Sequence, residues 1–286
     1  MVLGGNPEDK DVELVDFRTN RTTVLAKPYD LQFPFDGGVS NVIDGAVWFC
    51  AGRFFTNCYF YSFAQNYWYK SDTTDKTNRG ATEFVLDNKW YIMGGWDQDN
   101  NTLRMNTTVV LQAGVFSKGQ ELPYPASSAC SVLVNSTHIF FAGGADAGSE
   151  NHKAAYLVDV GNWEWTRLED MARGRNGHTC GRSGGKIVAL GGSEEGSDGS
   201  EIFSLDTMTW SDGPDIPTRT GTFDDAPHVY QLKDTFYVLG GWDGDHFLDT
   251  VFEFEPRSAS WLVREETLKT ARSDHGLVAI PSRIID

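Results

Sequence analysis

The sequence predicts an all-β fold, a six-bladed β-propeller whose N- and C-terminal segments pair to close the ring. Three observations carry this reading. A Gly-Gly doublet, once Ala-Gly, ends a short apolar segment six times, at intervals of 43 to 49 residues, and a repeat of that length is a propeller blade. Within each unit the same signals return in order: an apolar strand, a second strand ending in the doublet, a polar loop, a third strand, and a fourth usually marked by Trp. The chain ends also complement each other. Met1 to Leu3 reads as a second strand with no first strand before it, and His275 to Ile280 as a first strand with no second after it.

The doublet copies are Val2-Leu3-Gly4-Gly5, Phe49-Cys50-Ala51-Gly52, Ile92-Met93-Gly94-Gly95, Phe141-Ala142-Gly143-Gly144, Ala189-Leu190-Gly191-Gly192 and Val238-Leu239-Gly240-Gly241. Glycine lets the backbone turn sharply and approach a neighbouring blade where a Cβ would clash. Blade five shows the unit most fully, with His178-Thr179-Cys180, Lys186 to Leu190, Ile202 to Asp206 and Thr209-Trp210. Fourth-strand bulk comes from Trp68, Trp163 or Trp165, Trp210 and Trp261. The segments Thr22 to Leu25 and Val115 to Ser117 lack Trp, so their blades are expected to be less regular. A sheet of four short strands cannot bury both faces alone, so the blades must stack into a ring. The unbroken repeat makes residues 1–286 one domain, with blade 1 completed by the strand at 275–280, which removes open sheet edges. The alternative is a piece cut from a longer array.

The doublets, the fourth-strand tryptophans, and the stretches Met171-Ala172-Arg173-Gly174-Arg175-Asn176-Gly177-His178 and Arg272-Ser273-Asp274-His275 leading into first strands resemble the kelch-repeat family from Val2 to Ile280. The segments from Ser128 to Gly144 and from Gly177 to Gly181 resemble kelch proteins of the extracellular kind. That resemblance implies a propeller used for binding.

A formal net charge of −16 argues against nucleic acid and anionic membranes, whose binding draws on Lys and Arg. No run of eighteen apolar residues occurs, and Met1 to Lys10 lacks the apolar core of a signal peptide. Of the four cysteines, Cys50 ends one strand and Cys58 begins the next, so a hairpin could join them in a disulfide or leave them as buried thiols. Cys130 and Cys180 fall on first strands of adjacent blades, which are not paired strands, and are expected to stay as packed thiols. Sequons at Asn20, Asn100, Asn106 and Asn135 are glycosylation candidates. Together with the extracellular-type resemblance they point to a secreted glycoprotein. The alternative is cytoplasmic, because intracellular kelch adaptors use the same propeller.

Loops after the doublets and loops between blades gather at the ends of the central channel, so residues far apart in sequence line one surface, where function is sought. Five of the six doublet loops are acidic: Glu8, Asp9 and Asp11; Asp97 and Asp99; Asp146 and Glu150; Glu194, Glu195 and Asp198; Asp243 and Asp245. Blade two carries Arg53-Phe54-Phe55 instead. The candidate binding residues are Trp96, Asp97 and Asp99 on blade three and Trp242, Asp243 and Asp245 on blade six, placed to meet a sugar ring or a cationic side chain. The bland alternative is that each Trp packs over its own hairpin on a merely solvated rim. His178, His228 and His275 read as framework. There is no EF-hand loop, zinc-ligand spacing, phosphate loop or nucleophile elbow, so no cofactor, metal or catalytic residue is expected.

The leading expectation is a non-enzymatic propeller that binds a protein, basic partners included, or a glycan through its loop faces. The alternative is a small-molecule binder or sugar-modifying enzyme using the channel, since copper-radical oxidases and sugar isomerases occur on propellers of similar outline. Cys58 beside Tyr59 and Tyr61 lies within a blade, which suits a copper-radical site poorly.

Overall fold

The computed structural model describes residues 1–3, 12–16, 21–25, 37–50, 58–71, 79–97, 103–146, 148, 151–192, 199–217 and 228–280, the side chains of Leu25 and His228 excepted. These residues form six four-stranded antiparallel sheets arranged as the expected six-bladed propeller. Blade 1 holds β1 (Val2–Leu3), β2 (Val12–Asp16) and β3 (Arg21–Leu25). Blade 2 is β4 (Val39–Ile43), β5 (Ala46–Cys50), β6 (Cys58–Ser62) and β7 (Tyr67–Ser71). Blade 3 is β8 (Thr82–Leu86), β9 (Lys89–Met93), β10 (Thr108–Gln112) and β11 (Val115–Lys118). Blade 4 is β12 (Cys130–Leu133), β13 (His138–Ala142), β14 (Ala155–Asp159) and β15 (Glu164–Arg167). Blade 5 is β16 (His178–Ser183), β17 (Lys186–Gly191), β18 (Gly199–Ser204) and β19 (Thr209–Asp215). Blade 6 is β20 (His228–Leu232), β21 (Thr235–Leu239), β22 (Val251–Glu255) and β23 (Ser260–Val263), and β24 (Gly276–Leu277) returns to blade 1.

Burial falls from the axis outwards. The second strands β5, β9, β13 and β21 are buried at every position after the first, whereas β11 and β15 are exposed at three of their four residues. Strands covered on both faces need continuous apolar runs, which is why Val47-Trp48-Phe49 and Ile139-Phe140-Phe141 show no alternation. Strand reversal at Asp44-Gly45, Asp87-Asn88 and Ala113-Gly114 uses two successive positive-φ residues, the twist-matched hairpin geometry.

The core is divided into six apolar clusters, one at each blade-to-blade junction. Phe140 and Ala142 of blade 4 pack against Ile187 and Phe203 of blade 5, and Val188 and Ile202 of blade 5 against Phe236 and Phe254 of blade 6. Phe49 and Trp68 of blade 2 meet Leu3 and Val12, and Val2 meets Leu239 and Val251, so blade 1 is packed on both sides.

Blade 1 is assembled from both ends of the chain. Val2 pairs with Leu277 and Leu3 with Gly276; the Met1 amino group donates to the Val278 carbonyl at 2.8 Å, and Val278 N–H donates back to Met1 at 2.9 Å. The buried Glu13 carboxylate of β2 accepts from the Lys269 and Thr270 amides at 2.7 and 3.1 Å and pairs with the Arg272 guanidinium.

The blades lacking a fourth-strand Trp are not less regular. Strand β3 pairs with β2 at five consecutive positions and β11 with β10 at four. The register shift among these pairings falls instead in blade 5, between Gly199 and Glu201, despite Trp210. Pairing is made by backbone groups, which an outer-strand side chain does not alter.

Two outcomes test this frame. A Cβ on Gly240 would sit 2.4 Å from the Arg272 carbonyl at φ +64°, whereas one on Gly114 at φ +75° meets nothing within 4 Å. Gly240→Ala is therefore expected to lower the urea midpoint clearly more than Gly114→Ala, which carries only the backbone strain. Arg272→Met leaves Glu13 charged, buried and unpaired, and should cost about 3–5 kcal/mol in equilibrium unfolding.

Candidate functional site

The first strands β24, β4, β8, β12, β16 and β20 surround a central channel of about 400 Å³. Their side chains meet across the junctions. Thr82 of β8 shares a 2.8 Å hydrogen bond with Ser131 of β12, whose hydroxyl also donates to the Glu83 carbonyl at 2.8 Å. Between blades 5 and 6 the Gln231 side chain accepts from the Arg182 amide at 2.8 Å and donates to the Arg182 carbonyl at 2.7 Å.

Two ionisable groups on the channel wall are held in neutral form. Glu83 accepts from Ser40 N–H at 3.2 Å and from the Trp90 indole. Desolvation pushes its pKa up to about 8, against those hydrogen bonds and one from Asn41. His178 is buried, and neither ring nitrogen meets a partner at hydrogen-bonding geometry. Burial, then the Arg175 charge, holds its pKa down to about 3 against the pull of the nearby Ser128 backbone. Its ring lies where a Cβ on Gly143 of the doublet would be, 2.5 Å from Cε1, and His275 holds the same place over Gly240 at 3.0 Å. Both are framework in that sense, and the side chain of His228 lies outside the described residues.

The expectation that Cys130 and Cys180 stay as thiols is overturned, because the structure joins them in a disulfide, their Cα atoms 5.7 Å apart. The first strands of neighbouring blades are not hydrogen-bonded to each other, yet Cys130 and Cys180 occupy the positions that Thr82 and Ser131 occupy one junction earlier. Side chains at those positions point across the gap. Cys50 and Cys58 form a second disulfide inside blade 2, with Cα atoms 4.2 Å apart.

At the loop end Arg79, Arg104 and Arg175 are engaged, while Arg173 stays partly exposed. Arg79 reaches over Gly37 to pair with Asp274 at 3.3 Å, and the buried Arg104 stacks 3.3 Å above the Trp96 ring. Arg175 lies buried against Glu201 at 3.0 Å and donates to the Gly191 and Gly199 carbonyls at 2.6 and 3.1 Å. Trp96 and Trp242 are each half-buried in their own loops: Trp96 bridges to Arg79 and Arg104, and Trp242 packs on Phe247 with centroids 4.7 Å apart. Asp243 Oδ1 accepts from the Asp245 and His246 amides at 2.8 and 2.6 Å, which holds its carboxyl below the usual range. Asp97 and Asp146 are partly exposed and Asp245 is exposed. Asp99, Glu8, Asp9, Asp11, Glu150, Glu194, Glu195, Asp198 and the Arg53-Phe54-Phe55 segment lie outside the described residues, as do Asn20 and Asn100. Asn106 is partly buried and donates to Glu121 at 3.2 Å, while Asn135 is exposed at a hairpin tip, its Oδ1 accepting from the Thr137 and His138 amides.

Sequence reasoning missed the Arg175–Glu201 and Arg272–Glu13 pairs. The signal was present in Glu13 and Glu201, charged residues embedded in strands with buried neighbours. It missed also that Cys130, His178 and Cys180 converge, their ligand atoms all within 4.8 Å of one another. Ligands drawn from two blades leave no short spacing to recognise.

The Glu83 shift has a pH consequence. Its carboxyl ionises near 4.5 in an exposed chain but near 8 when folded, so between those values the folded state binds more protons. Its contribution to stability is full below about pH 4.5 and is lost as pH rises through 8. The difference in urea midpoint between Glu83→Gln and the parent should therefore shift in favour of the variant from pH 5 to pH 9; a pH-independent difference would contradict the desolvated carboxyl.

The family described as the KLHDC2/KLHL20/DRC7 Kelch-repeats domain matches residues 80–285. Two Arabidopsis thaliana proteins named as F-box/kelch-repeat proteins are 30% identical over 88 residues and 25% identical over 119, covering 30% and 41% of this chain. The matched segments span only 21% and 29% of those relatives. The solved structure of YjhT superposes with a TM-score of 0.71 at 16% identity, covering 86% of this chain and 88% of that one, a likeness of fold. With the repeats in register and the family matched over the greater part of the sequence, the chain belongs to the kelch-repeat family.

Proposed function

We propose that the protein is a non-enzymatic interaction propeller that takes a basic protein segment on its loop end. The observation that carries this reading is the unequal use of charge there. Arg79, Arg104, Arg175 and Arg272 are drawn into ion pairs, ring stacking or the core, whereas Asp97, Asp146, Asp243 and Asp245 remain at least partly exposed. Lys153, Arg173 and Lys269 also stay at least partly exposed at this end, so the proposed attraction for a cationic partner comes from the carboxylates clustered in the doublet loops. The relatives' names join kelch repeats to an F-box, which supports reading the propeller as a module that binds while other segments act.

A second reading rests on the channel itself, whose volume and enclosed Glu83 and Gln231 suit a small polar molecule. Its mark would be a ligand that raises the melting temperature of the parent and not of Glu83→Gln.

The test of the leading reading compares two neutralised triples. Asp97, Asp243 and Asp245 changed to Asn remove charge at the loop end, while Asp87, Asp206 and Asp234 changed to Asn remove as much from exposed hairpin turns at the other end. With a Lys/Arg-rich peptide as probe, the loop-end triple should weaken binding at least tenfold more than the other, and binding should fall as salt rises. Equal losses would reduce the effect to net charge. Salt-insensitive capture of glycans would replace the basic partner.

A further inference from the structure

Cys130, His178 and Cys180 form the one group of metal-ligand side chains that converges among the described residues. All three are buried and all three line the channel wall. We propose that the Cys130–Cys180 disulfide masks a metal site: once a dithiol reductant opens it, the two sulfurs and a His178 nitrogen hold one thiophilic cation such as Zn²⁺ between blades 4 and 5.

The fold does not require this set of residues at the junction. One junction earlier the same positions carry Thr82 and Ser131, joined by a hydrogen bond, so a polar pair spans the junction there. His275 fills the place of His178 at the entry to blade 1, but the two residues after it are Gly276 and Leu277, which offer no ligand. Among the described residues only the junction of blades 4 and 5 combines two sulfurs with the imidazole. The His178 ring points the same way: it is buried, and among the described residues no group meets its nitrogens at full hydrogen-bonding geometry, the nearby Ser128 backbone included. Two thiolates and a neutral imidazole are the donor set that selects zinc or cuprous ions over calcium and magnesium. Sulfurs sharing a tetrahedral ion at about 2.3 Å stand roughly 3.7 Å apart, a spacing that Cα atoms 5.7 Å apart reach by side-chain rotation. Three protein ligands leave the fourth position of a tetrahedral ion to water or to a bound molecule.

The chemistry balances without further partners. The dithiol gives up two electrons and two protons and becomes a disulfide, while Cys130 and Cys180 become thiols. The cation then displaces both thiol protons, and the charges of ion and thiolates cancel. In oxidising surroundings the disulfide keeps the site shut, and in reducing surroundings it opens.

Cys50→Ser/Cys58→Ser leaves Cys130 and Cys180 as the sole thiols. After reduction this variant should bind one equivalent of Co²⁺ with a thiolate-to-metal charge-transfer band, displaceable by Zn²⁺, and before reduction none. Adding Cys130→Ser should abolish the band, and adding His178→Ala should lower affinity roughly tenfold or more. Should those additions unfold the ring, Zn²⁺ protection of Cys130 and Cys180 against alkylation in the reduced full-length chain reads the same site. No stoichiometric binding after reduction, an undiminished band without Cys130, an affinity unchanged without His178, or no protection would each overturn the assignment.

Discussion

A belt of backbone hydrogen bonds running, among the described residues, from the entry of blade 1 to that of blade 5 along the channel mouth is the interaction on which the rest of the ring depends. Gly37 N–H donates to the Asp274 carbonyl, Gly80 to Gly37, Ser128 to Gly80 and Gly177 to Ser128, at 2.7 to 3.1 Å. Each of these five residues has positive φ, between 49° and 66°. That conformation turns the chain just before each first strand, so that one peptide group faces the preceding blade and the next faces the following one. Glycine adopts it freely, and Ser128 and Asp274 accept strain to do so. The doublets add a second connection, since Gly95, Gly144 and Gly241 donate to the carbonyls of Ala126, Arg175 and Arg272 in the following inter-blade loops.

The buried charge pairs belong to the same construction. Arg175 and Arg272 occupy equivalent places two residues before the belt, and each meets a carboxylate on the third strand of its own blade. In blade 5 the guanidinium also satisfies the Gly191 and Gly199 carbonyls. Charges removed from water survive only when paired and hydrogen-bonded in this way. In blade 1 the pair does more, because Glu13 and Arg272 come from opposite ends of the chain and lock the ring shut.

With the belt and the apolar clusters holding the ring, the side chains that meet across the first strands are free to differ from junction to junction. Thr82 with Ser131 and Cys130 with Cys180 are two solutions to one geometric position, whereas between blades 5 and 6 the Gln231 side chain bonds the Arg182 backbone further along the strands. The channel wall is thus a place where side-chain chemistry varies while the ring is kept, and both the enclosed carboxyl and the sulfur cluster lie there.

The sequence by itself determined the six blades, because the doublets, the apolar second strands and the turn residues are local signals tied to backbone conformation, and their period repeats in register. It also located the loops that crowd the channel mouth. Only the tertiary structure decided what those residues do. Trp96 looks exposed in a polar loop until Arg104, eight residues on, folds over its ring. Cys130 and Cys180 look unrelated until two strands that share no hydrogen bond aim their side chains at each other. Glu13 and Arg272 are separated by nearly the whole chain. Contacts made across junctions depend on the relative placement of whole sheets, and no periodicity within a single blade encodes that placement.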